Sequence, residues 1–557
     1  MNDSSPARAR GSKSGLRERP ARQRDGEAPD LRAARTSAAP ALADQAALYR
    51  AMQSRDHRFE GRFIAGVTST GIYCRPGCPA KMPRAENVRF FACAAAAEGA
   101  GFRACLRCRP DASALLPAAA GSSATVTRAL GLMSQGEQEL SALCDKLGVG
   151  PRHLRRLFVQ HLGASPQAVL RTQRLQFARQ LLEQTRLPMT EVALASGFRS
   201  TRRFNAEIRR AFQAPPRELR AAPRGSMARQ YLPESAIISR KAAPGADARD
   251  RIELRIPYAP PLDWPALLSF FGARAIAGVE QVEGLGYRRS VRVAGSGTPL
   301  LLEVAPVAGA HALRVSLGAA PAQALPALVA GVKRMFGCAV QPHAVAAHLG
   351  RDPLLARALA LHPGLRVPGA WDPFELAVRA LLGQQISVRA AQTLAGRLVQ
   401  ALGEALPREL ASEGGLTHLF PTPQTIAEAG SSFLQSLGLM PARAVALHGL
   451  AQRVASGALD FAALRARPLE EAGAALESLP GFGAWSAHYI ALRALGEPDA
   501  FPLRDLGLLR SLRREQPGAT FSDLRARAES WRPFRATAAI ALWLLDSSPL
   551  AASTGEP

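Results

Sequence analysis

Four cysteines impose the strongest constraint on this sequence. Cys74 and Cys78 are separated by three residues, Cys105 and Cys108 by two, and 26 residues lie between the pairs. Each pair is spaced so that two thiolates reach one tetrahedral ion, and four thiolates without a carboxylate or histidine favour zinc. The segment must therefore fold so that the two pairs meet, and we expect one Zn²⁺ there.

The predicted zinc site would carry a net negative formal charge, because four thiolates outweigh one divalent cation. A ligand sulfur would then keep nucleophilic character. The neighbouring cations could bring a phosphate backbone close to it: they are Arg75, Lys81, Arg84, Arg103, Arg107 and Arg109. Spacing alone favours the alternative, a purely structural zinc site without chemistry.

The sequence around the cysteines reads Ser69-Thr70-Gly71-Ile72-Tyr73-Cys74-Arg75-Pro76-Gly77-Cys78, then Glu86-Asn87-Val88, Gly101-Phe102-Arg103-Ala104-Cys105 and Arg107-Cys108. These stretches resemble the N-terminal zinc domain of the Ada alkylation-response family. The resemblance implies that Cys74 accepts a methyl group irreversibly from a methylated DNA phosphotriester. Conversion of that thiolate to a thioether would remove one negative charge from a site facing DNA, which would raise DNA affinity after damage.

The net charge of +25 suggests a polyanionic partner, most simply nucleic acid. The excess is uneven: residues 45–230 carry 29 basic and 12 acidic residues, whereas residues 231–557 carry 32 and 27. A general arginine bias would spread the charge evenly, so the first of these regions is the stronger candidate for regulatory DNA binding.

A length of 557 residues predicts several domains. Composition and the resemblance of separate segments to known families divide the chain into a disordered basic tail (1–44), a zinc domain (45–112), an arginine-rich helical domain (125–222), a linker (223–249), a mixed α/β subdomain (250–362) and a helical domain (363–550). The few cysteines and short apolar runs predict a cytoplasmic, nucleoid-associated protein of bacterial type with no membrane role.

The arginine-rich domain contains two similar helical units. In each, a helix is followed by a turn containing Gly148 or Gly197 and then by a basic amphipathic helix that fits a major groove. The predicted helices are Leu140–Leu147, Arg152–His161, Met189–Ser196 and Ser200–Phe212. A helical hairpin with a charged surface explains one such unit readily, but two in tandem less well.

These units resemble the AraC-type double helix-turn-helix, including Ala193–Phe198 and Ala214-Pro215-Pro216. Ada proteins carry this domain directly after the zinc domain. The resemblance implies promoter binding, with RNA polymerase as a further partner and Arg152, Arg156, Arg202 and Arg203 as candidate DNA contacts. A Pro-Cys-His-Arg motif, the nucleophile of the second Ada methyltransferase domain, is absent from this sequence, so repair of O6-alkylguanine is not expected.

The chemical centre of the C-terminal half is Leu479-Pro480-Gly481-Phe482-Gly483-Ala484-Trp485, between helical patterns at Leu469–Leu479 and Ser486–Leu495. The proline and glycines bend the chain and expose N–H groups, around Gly481 and Gly483, to which a DNA phosphate can bind. Such a sequence alone is more often an ordinary turn. Asp505 follows Gly483 by 22 residues and precedes a helical run, where helix capping is the commoner role.

Hairpin and aspartate at this spacing are similar to those of the helix-hairpin-helix glycosylase superfamily. Further stretches place the chain with AlkA-type DNA-3-methyladenine glycosylases: Pro257–Trp264, Gly272-Ala273-Arg274-Ala275, Pro363–Gly369, Val378–Gln384, Phe420–Pro423 and Ala442-Arg443-Ala444. The resemblance implies a small mixed α/β subdomain followed by an all-helical catalytic region.

A damaged base must leave the stack before its N-glycosidic bond is accessible, so the enzyme needs an aromatic pocket. Alkylation at N3 or N7 makes a purine cationic, which weakens that bond and attracts the base to aromatic faces. The resemblance places Trp485, Tyr489, Trp543 and Gln384 at this pocket. It assigns to Asp505 the catalytic carboxylate, which stabilises the oxocarbenium-like sugar or orients water against it.

Other features of the aromatic and loop residues bear on this assignment. Trp485 and Tyr489 are four residues apart on one helix, so their rings can meet. Trp371 and Trp531 are expected in the core. Where the family often has an apolar wedge after the first loop glutamine, this chain has Gln385.

Only five residues are lysine, and none follows Lys333. Glycosylases that also cut the strand need an amine, usually a hairpin lysine, and Trp485 occupies that position here. Lysine-dependent lyase activity is thereby excluded. No cysteine follows Cys338 in this sequence, which excludes a C-terminal iron–sulfur cluster, and we expect no cofactor for the glycosylase reaction.

The sequence thus predicts a multidomain, mainly α-helical protein, with a small zinc α+β domain, a double helix-turn-helix, a mixed α/β subdomain and an all-helical glycosylase domain. The predicted activity is hydrolysis of the N-glycosidic bond of alkylated purines, such as 3-methyladenine, in double-stranded DNA. The alternative is a transcriptional regulator whose glycosylase half binds DNA without catalysis. The presence of Asp505 together with the pocket aromatics argues against it.

Overall fold

The computed structural model describes residues 42, 44–56, 59, 61–105, 108, 110, 124–134, 136, 137, 139–221, 251–293, 295–318, 320–411 and 415–547. The predicted tail, apart from residues 42 and 44, lies outside the described residues, as does the predicted linker at 223–249. Arg107 and Arg109 also lie outside them.

The zinc domain is a small sheet with two helices. Helix α1 (Gln45–Gln53) precedes β1 (Ile64–Val67), β2 (Ile72–Cys74) and β3 (Val88–Phe91), and α2 (Ala94–Gly99) precedes β4 (Arg103–Ala104). The strand order is β3-β1-β2-β4, and β2 and β4 are parallel, with Tyr73 opposite Ala104. Because parallel strands end at the same edge, Cys74 at the end of β2 and Cys105 just after β4 come together.

The arginine-rich domain contains α3 (Ala124–Ser134), α4 (Leu140–Leu147), α5 (Pro151–Leu162), α6 (Pro166–Gln184), α7 (Met189–Ala195), α8 (Thr201–Phe212) and α9 (Pro216–Ala221). The two predicted units are α4–α5 and α7–α8. Helix α4 ends at Gly148, whose φ of +64° suits glycine. The apolar faces of α5 and α8 are buried, including Phe158 and Phe204, which leaves their arginines outside the core.

The mixed α/β subdomain has one antiparallel sheet in the order β5-β9-β8-β7-β6. The strands are β5 (Ile252–Pro257), β6 (Glu280–Glu283), β7 (Gly286–Arg292), β8 (Pro299–Pro306) and β9 (Ala312–Leu317). Helices α10 (Trp264–Gly272) and α11 (Leu325–Met335) share its core, which continues into α7 and α8 through Val192 and Ile208. The second helix-turn-helix unit therefore packs against the subdomain.

A second, larger core lies within the C-terminal helices. They are α12 (Pro342–Leu349), α13 (Pro353–Leu361), α14 (Pro373–Leu382), α15 (Val388–Leu402), α16 (Pro423–Ser436), α17 (Pro441–Ala455), α18 (Phe461–Ala466), α19 (Leu469–Glu477), α20 (Ala484–Ile490), α21 (Leu506–Arg513), α22 (Phe521–Glu529) and α23 (Arg535–Ser547). Trp531 is buried here, and Trp371 packs against the sheet core, as expected.

Helix α20 continues without a break into a π-helical turn at Ala491–Leu495. Such turns occur mostly within α-helices and often at functional sites. None of the helices in the described part of the chain is both long enough and apolar enough to cross a bilayer. The predicted fold class is confirmed, whereas the domain boundaries remain predictions.

Candidate active site and metal centre

The two cysteine pairs meet at one edge of the small sheet. The Sγ atoms of Cys74, Cys78, Cys105 and Cys108 all lie within 4.8 Å of one another, and all four residues are buried. A tetrahedral zinc ion with Zn–S bonds of about 2.3 Å would hold its ligand sulfurs roughly 4 Å apart. The donor set and its spacing therefore fit zinc.

The electrostatics of the four thiols fit a site that binds a cation. Hydrogen bonding to Cys105 raises the pKa of both Cys74 and Cys108 above the ordinary thiol value. Four buried thiols this close cannot all ionise unless a positive charge is held among them. Exposure does not single out one nucleophile, since Cys74 is 5% exposed and Cys78 is 7% exposed.

The strand that ends at Cys74 is tied to the helix-turn-helix domain. The Tyr73 hydroxyl donates to Glu98 Oε1 at 2.9 Å, and Thr172 Oγ1 on α6 donates to Glu98 Oε2 at 2.6 Å. Tyr73 is fully buried. One carboxylate therefore joins the residue beside Cys74 to the long helix that connects the two helix-turn-helix units.

The candidate DNA-binding arginines are all exposed. Arg152 and Arg156 lie on α5, where an Arg156 guanidinium nitrogen is 3.1 Å from His153 Nδ1. Arg202 and Arg203 lie in the first turn of α8, whose N-cap Ser200 accepts from the Arg203 N–H at 3.3 Å. Both basic faces are thus free of the core, as the predicted amphipathic pattern requires.

The hairpin between α19 and α20 turns on two glycines with different roles. Gly481 has a φ of +83°, and a Cβ there would lie 2.8 Å from the Cβ of Ala446. Gly483 has an extended backbone and is the N-cap of α20, with no side-chain cap on the helix. Both glycines are exposed. The hairpin therefore needs glycine at 481 for its conformation, and Gly483 leaves the N-terminus of α20 open.

Gln384 lies at the hairpin. Its Nε2 donates to the Gly481 carbonyl at 2.7 Å and to Ser486 Oγ at 3.1 Å, and its backbone carbonyl accepts from the Arg443 guanidinium at 2.6 Å. The side chain thus joins the loop after α14 to the hairpin, and its part in the substrate pocket stays a prediction. The next residue, Gln385, is exposed and has a φ of +56°.

Asp505 is the N-cap of α21, and its Oδ1 accepts from the Leu508 N–H at 3.0 Å. It also accepts two indole hydrogen bonds: Trp485 Nε1 donates to Oδ2 at 2.8 Å and Trp543 Nε1 to Oδ1 at 3.0 Å. Capping, the commoner role of such an aspartate, is therefore present together with an orientation fixed by two tryptophans. The carboxylate is half-buried.

The three predicted pocket aromatics form one cluster beside Asp505. The rings of Trp485 and Tyr489 are stacked, with centroids 5.0 Å apart and planes 10° apart, as their spacing on the helix allows. Trp543 meets Tyr489 edge-on, with centroids 6.1 Å apart. An electron-rich surface thus lies next to a carboxylate, and this surface suits a cationic ring.

Sequence reasoning missed three residues at this cluster: Phe270, Arg274 and Arg493. Arg493 donates to the Tyr489 hydroxyl at 2.6 Å, and the Cζ atoms of both arginines lie over the Phe270 ring. Burial raises the pKa of Tyr489, but the charges of Arg493 and Arg274 outweigh it and hold this pKa below the ordinary tyrosine value. The spacing of Arg493, four residues after Tyr489, was the available signal.

Four sequence families match separate parts of the chain. They are described as the metal binding domain of Ada (residues 47–111), a helix-turn-helix domain (143–222), the AlkA N-terminal domain (253–372) and the HhH-GPD superfamily base excision DNA repair protein (378–535). Together they cover the cysteine cluster, both helical units, the mixed subdomain and Asp505.

Three curated relatives show how these parts combine. A probable bifunctional transcriptional activator/DNA repair enzyme AlkA of Mycobacterium tuberculosis is 38% identical over 505 residues, which are 90% of this chain and 96% of the relative. DNA-3-methyladenine glycosylase 2 of Escherichia coli is 35% identical over 51% of this chain and 95% of its own length. The E. coli bifunctional transcriptional activator/DNA repair enzyme Ada is 38% identical over 22% of this chain and 33% of its own length.

Proposed function

The chain belongs to the family of bifunctional transcriptional activators and DNA repair enzymes that join an Ada-type zinc domain and helix-turn-helix to an AlkA-type glycosylase, and from this premise we propose the role of its residues. Its C-terminal half is a DNA glycosylase that releases alkylated purines such as 3-methyladenine from double-stranded DNA. The observation that carries this proposal is Asp505, held by two indole N–H groups beside the aromatic cluster.

The reaction follows from what these groups do. The extruded base lies against Trp485, Tyr489 and Trp543, whose faces favour a positively charged purine. As the bond between the sugar C1′ and the base nitrogen breaks, positive charge develops on the sugar, and the Asp505 carboxylate stabilises it. The departing base keeps the bonding electron pair and becomes neutral. The oxygen of a water molecule then bonds to C1′, and the water loses a proton to solvent. The products are a free base and an abasic site.

Binding of the DNA backbone falls to the hairpin. Gly481 and Gly483 expose the start of α20, where N–H groups can donate hydrogen bonds to a phosphate without reading sequence. No lysine lies in the hairpin, so the sugar is not captured as a Schiff base by a hairpin lysine. The strand is expected to remain intact at the abasic site until another enzyme cuts it.

The test is base release from defined duplexes. The protein is incubated with a duplex that carries one alkylated purine, and free base and strand breaks are measured separately. We expect release of free base, with strand breaks only after alkali treatment. A regulator without catalysis would bind the duplex and release nothing, which would contradict the proposal.

The N-terminal cluster is proposed to bind one zinc ion, which keeps its cysteine ligands deprotonated. On the family resemblance, Cys74 is the methyl acceptor. Its sulfur forms a bond to the methyl carbon of a methylphosphotriester, the carbon–oxygen bond breaks, and the phosphodiester leaves as an anion. Mass spectrometry after exposure to such DNA should show one added methyl group on Cys74. Repair of the DNA with Cys74 unmodified would refute this assignment.

The helix-turn-helix domain is proposed to read promoter DNA through the exposed faces of α5 and α8. Arg152, Arg156, Arg202 and Arg203 are the proposed contacts, because they extend from the faces opposite the buried residues. Contact with RNA polymerase is part of the same proposal. A substitution that abolishes transcription activation but leaves promoter binding intact would mark a residue that contacts RNA polymerase.

A further inference from the structure

Two guanidinium groups border the aromatic cluster, and we call Arg274 and Arg493 the cation pair. Arg493 lies in the π-helical turn after α20, and its Cζ is 5.3 Å from the centre of the Tyr489 ring. Arg274 reaches the same place from the α/β subdomain. Its Cζ is 3.9 Å from the centre of Phe270, and that of Arg493 is 4.7 Å from it.

The charge of the cation pair is not cancelled by a direct partner. Across the described ranges, neither arginine forms an ion pair with a carboxylate; Arg493 instead donates to the Pro368 carbonyl at 2.8 Å and to Tyr489. Among the acidic residues that line the same small cavity, Glu280 and Glu375 contact Arg289 and Arg379, and Asp372 is the N-cap of α14, where it accepts from the Glu375 N–H at 2.8 Å. The positive charge therefore acts on the aromatic cluster.

We propose that Arg274 and Arg493 set the base selectivity of the pocket, by lowering its preference for cationic alkylated purines and so retaining uncharged damaged purines as substrates. This inference rests on the glycosylase function proposed above. Asp505 and the tryptophan faces attract a cationic base, whereas the cation pair repels it from the Tyr489 side. Both electrostatic effects are weak on an uncharged base. Removal of a guanidinium should therefore change the release rates of cationic and uncharged bases unequally.

The size of the effect follows from Coulomb's law. Two unit charges roughly 10 Å apart, at an effective dielectric constant of about 20, change an equilibrium by about tenfold. The centre of the Tyr489 ring lies 5.3 Å from the Arg493 Cζ and 5.0 Å from the centre of the Trp485 ring, so a base bound at the tryptophan faces would be on the order of 10 Å from this charge. Partial compensation by surrounding dipoles reduces the expected effect to about three- to tenfold.

A structural role for Arg493 is the competing explanation, since its side chain and backbone also hold the subdomains together through Pro368 and Ala370. Two variants separate the explanations. Arg493→Met removes the charge and keeps the bulk, while Arg493→Lys keeps the charge and loses the fork of donors. Loss of a structural support would slow the release of every base to the same degree in both variants.

The experiment measures single-turnover release of 7-methylguanine, which is cationic, and of hypoxanthine, which is uncharged, from otherwise identical duplexes. We expect the ratio of the two rates to rise about three- to tenfold in Arg493→Met and in Arg274→Met and to stay within about twofold in Arg493→Lys. Arg357→Met, which removes an exposed charge on α13, is the control for the loss of one cation. Thermal melting verifies that each variant folds.

Affinity provides a second readout that does not depend on turnover. In an Asp505→Asn background, the ratio of dissociation constants for the same two duplexes should shift in the same direction when either arginine becomes methionine. Ratios that stay at the native value in both methionine variants overturn the inference. Failure of the unaltered protein to release any base would count against the proposed function instead, and the affinity ratio would still test the cation pair.

Discussion

The indole Nε1 of Trp543 lies 3.0 Å from Oδ1 of Asp505 and donates a hydrogen bond to it. Trp543 is on α23, 38 residues beyond the aspartate, and its ring also meets Tyr489. One side chain therefore contributes an aromatic face to the pocket and orients the carboxylate. These two contributions can be separated by substitution.

Replacement of Trp543 by phenylalanine keeps an aromatic face and removes the donor. A hydrogen bond to a charged group is worth about 2 kcal/mol, so we expect the rate of base release to fall about 30-fold with little change in the affinity for damaged DNA. Single-turnover kinetics measures the rate. Tyr489→Phe, which keeps the ring stack and both indole donors to Asp505, is the control, and an equal loss in the two variants would contradict a special role of the Trp543 donor.

Acid should weaken the fold at Glu280. Burial raises the pKa of this carboxyl group, but Arg379 and Arg289 outweigh burial and lower it to about 2, from an ordinary value of 4.5. Since the pKa of Glu280 is lower in the folded protein than in the unfolded chain, its stabilisation of the fold is complete above about pH 4.5 and is lost as the pH falls toward about 2. The free energy of unfolding should fall by about 3 kcal/mol over this range.

Urea unfolding as a function of pH, followed by tryptophan fluorescence, measures this dependence. The native protein should lose stability over that range. Glu280→Gln should be less stable at neutral pH, because Arg289 and Arg379 lose a buried partner, and should depend less on pH in acid. If Glu280→Gln kept the native pH dependence, Glu280 would be ruled out as the source of the acid destabilisation.

Metal content tests the cysteine cluster independently of methyl transfer. Elemental analysis should find one zinc per chain in the native protein and less in Cys108→Ser, because a tetrahedral thiolate site loses affinity with each ligand. Base release should be unchanged, since the glycosylase site shares no residue with the cluster. Full zinc content in Cys108→Ser would remove Cys108 from the ligand set.

The double substitution of Arg202 and Arg203 by alanine tests the helix-turn-helix. Both side chains are exposed on α8, so the fold should be unaffected. Affinity for a DNA site selected from a random pool should fall at least about tenfold, and the salt dependence of binding should weaken if the contacts are to phosphates. Gel-shift titration at several salt concentrations measures both. Native affinity would assign recognition to α5 alone.

Local features of the sequence predicted the local structure well. Periodic apolar residues and Gly148 located α4 and α5, and cysteine spacing located a cluster that the parallel pairing of β2 and β4 completes. The four-residue spacing of Trp485 and Tyr489 predicted their contact. Each of these patterns depends on residues close in the chain, or, for the four cysteines, on a set of metal ligands that must meet around one ion.

Contacts between distant segments were not predictable in the same way. The ion pair between Arg289 and Glu375 joins residues 86 positions apart, and no periodicity marks either one. The shared core of α7, α8 and the sheet joins segments that the predicted linker separates in the chain. Such pairings depend on the packed arrangement of whole elements.

Asp505 performs the glycosylase chemistry in the proposed mechanism, and Asp505→Asn removes its charge with little change in shape. Asparagine also caps helices well, so α21 should form normally, and Asp460→Asn makes the same change at another helix N-cap. On a duplex with one 3-methyladenine, we expect Asp505→Asn to release base at least about 100-fold more slowly, with DNA affinity retained, and Asp460→Asn to match the native protein. Release by Asp505→Asn at the native rate would rule out Asp505 as the catalytic carboxylate.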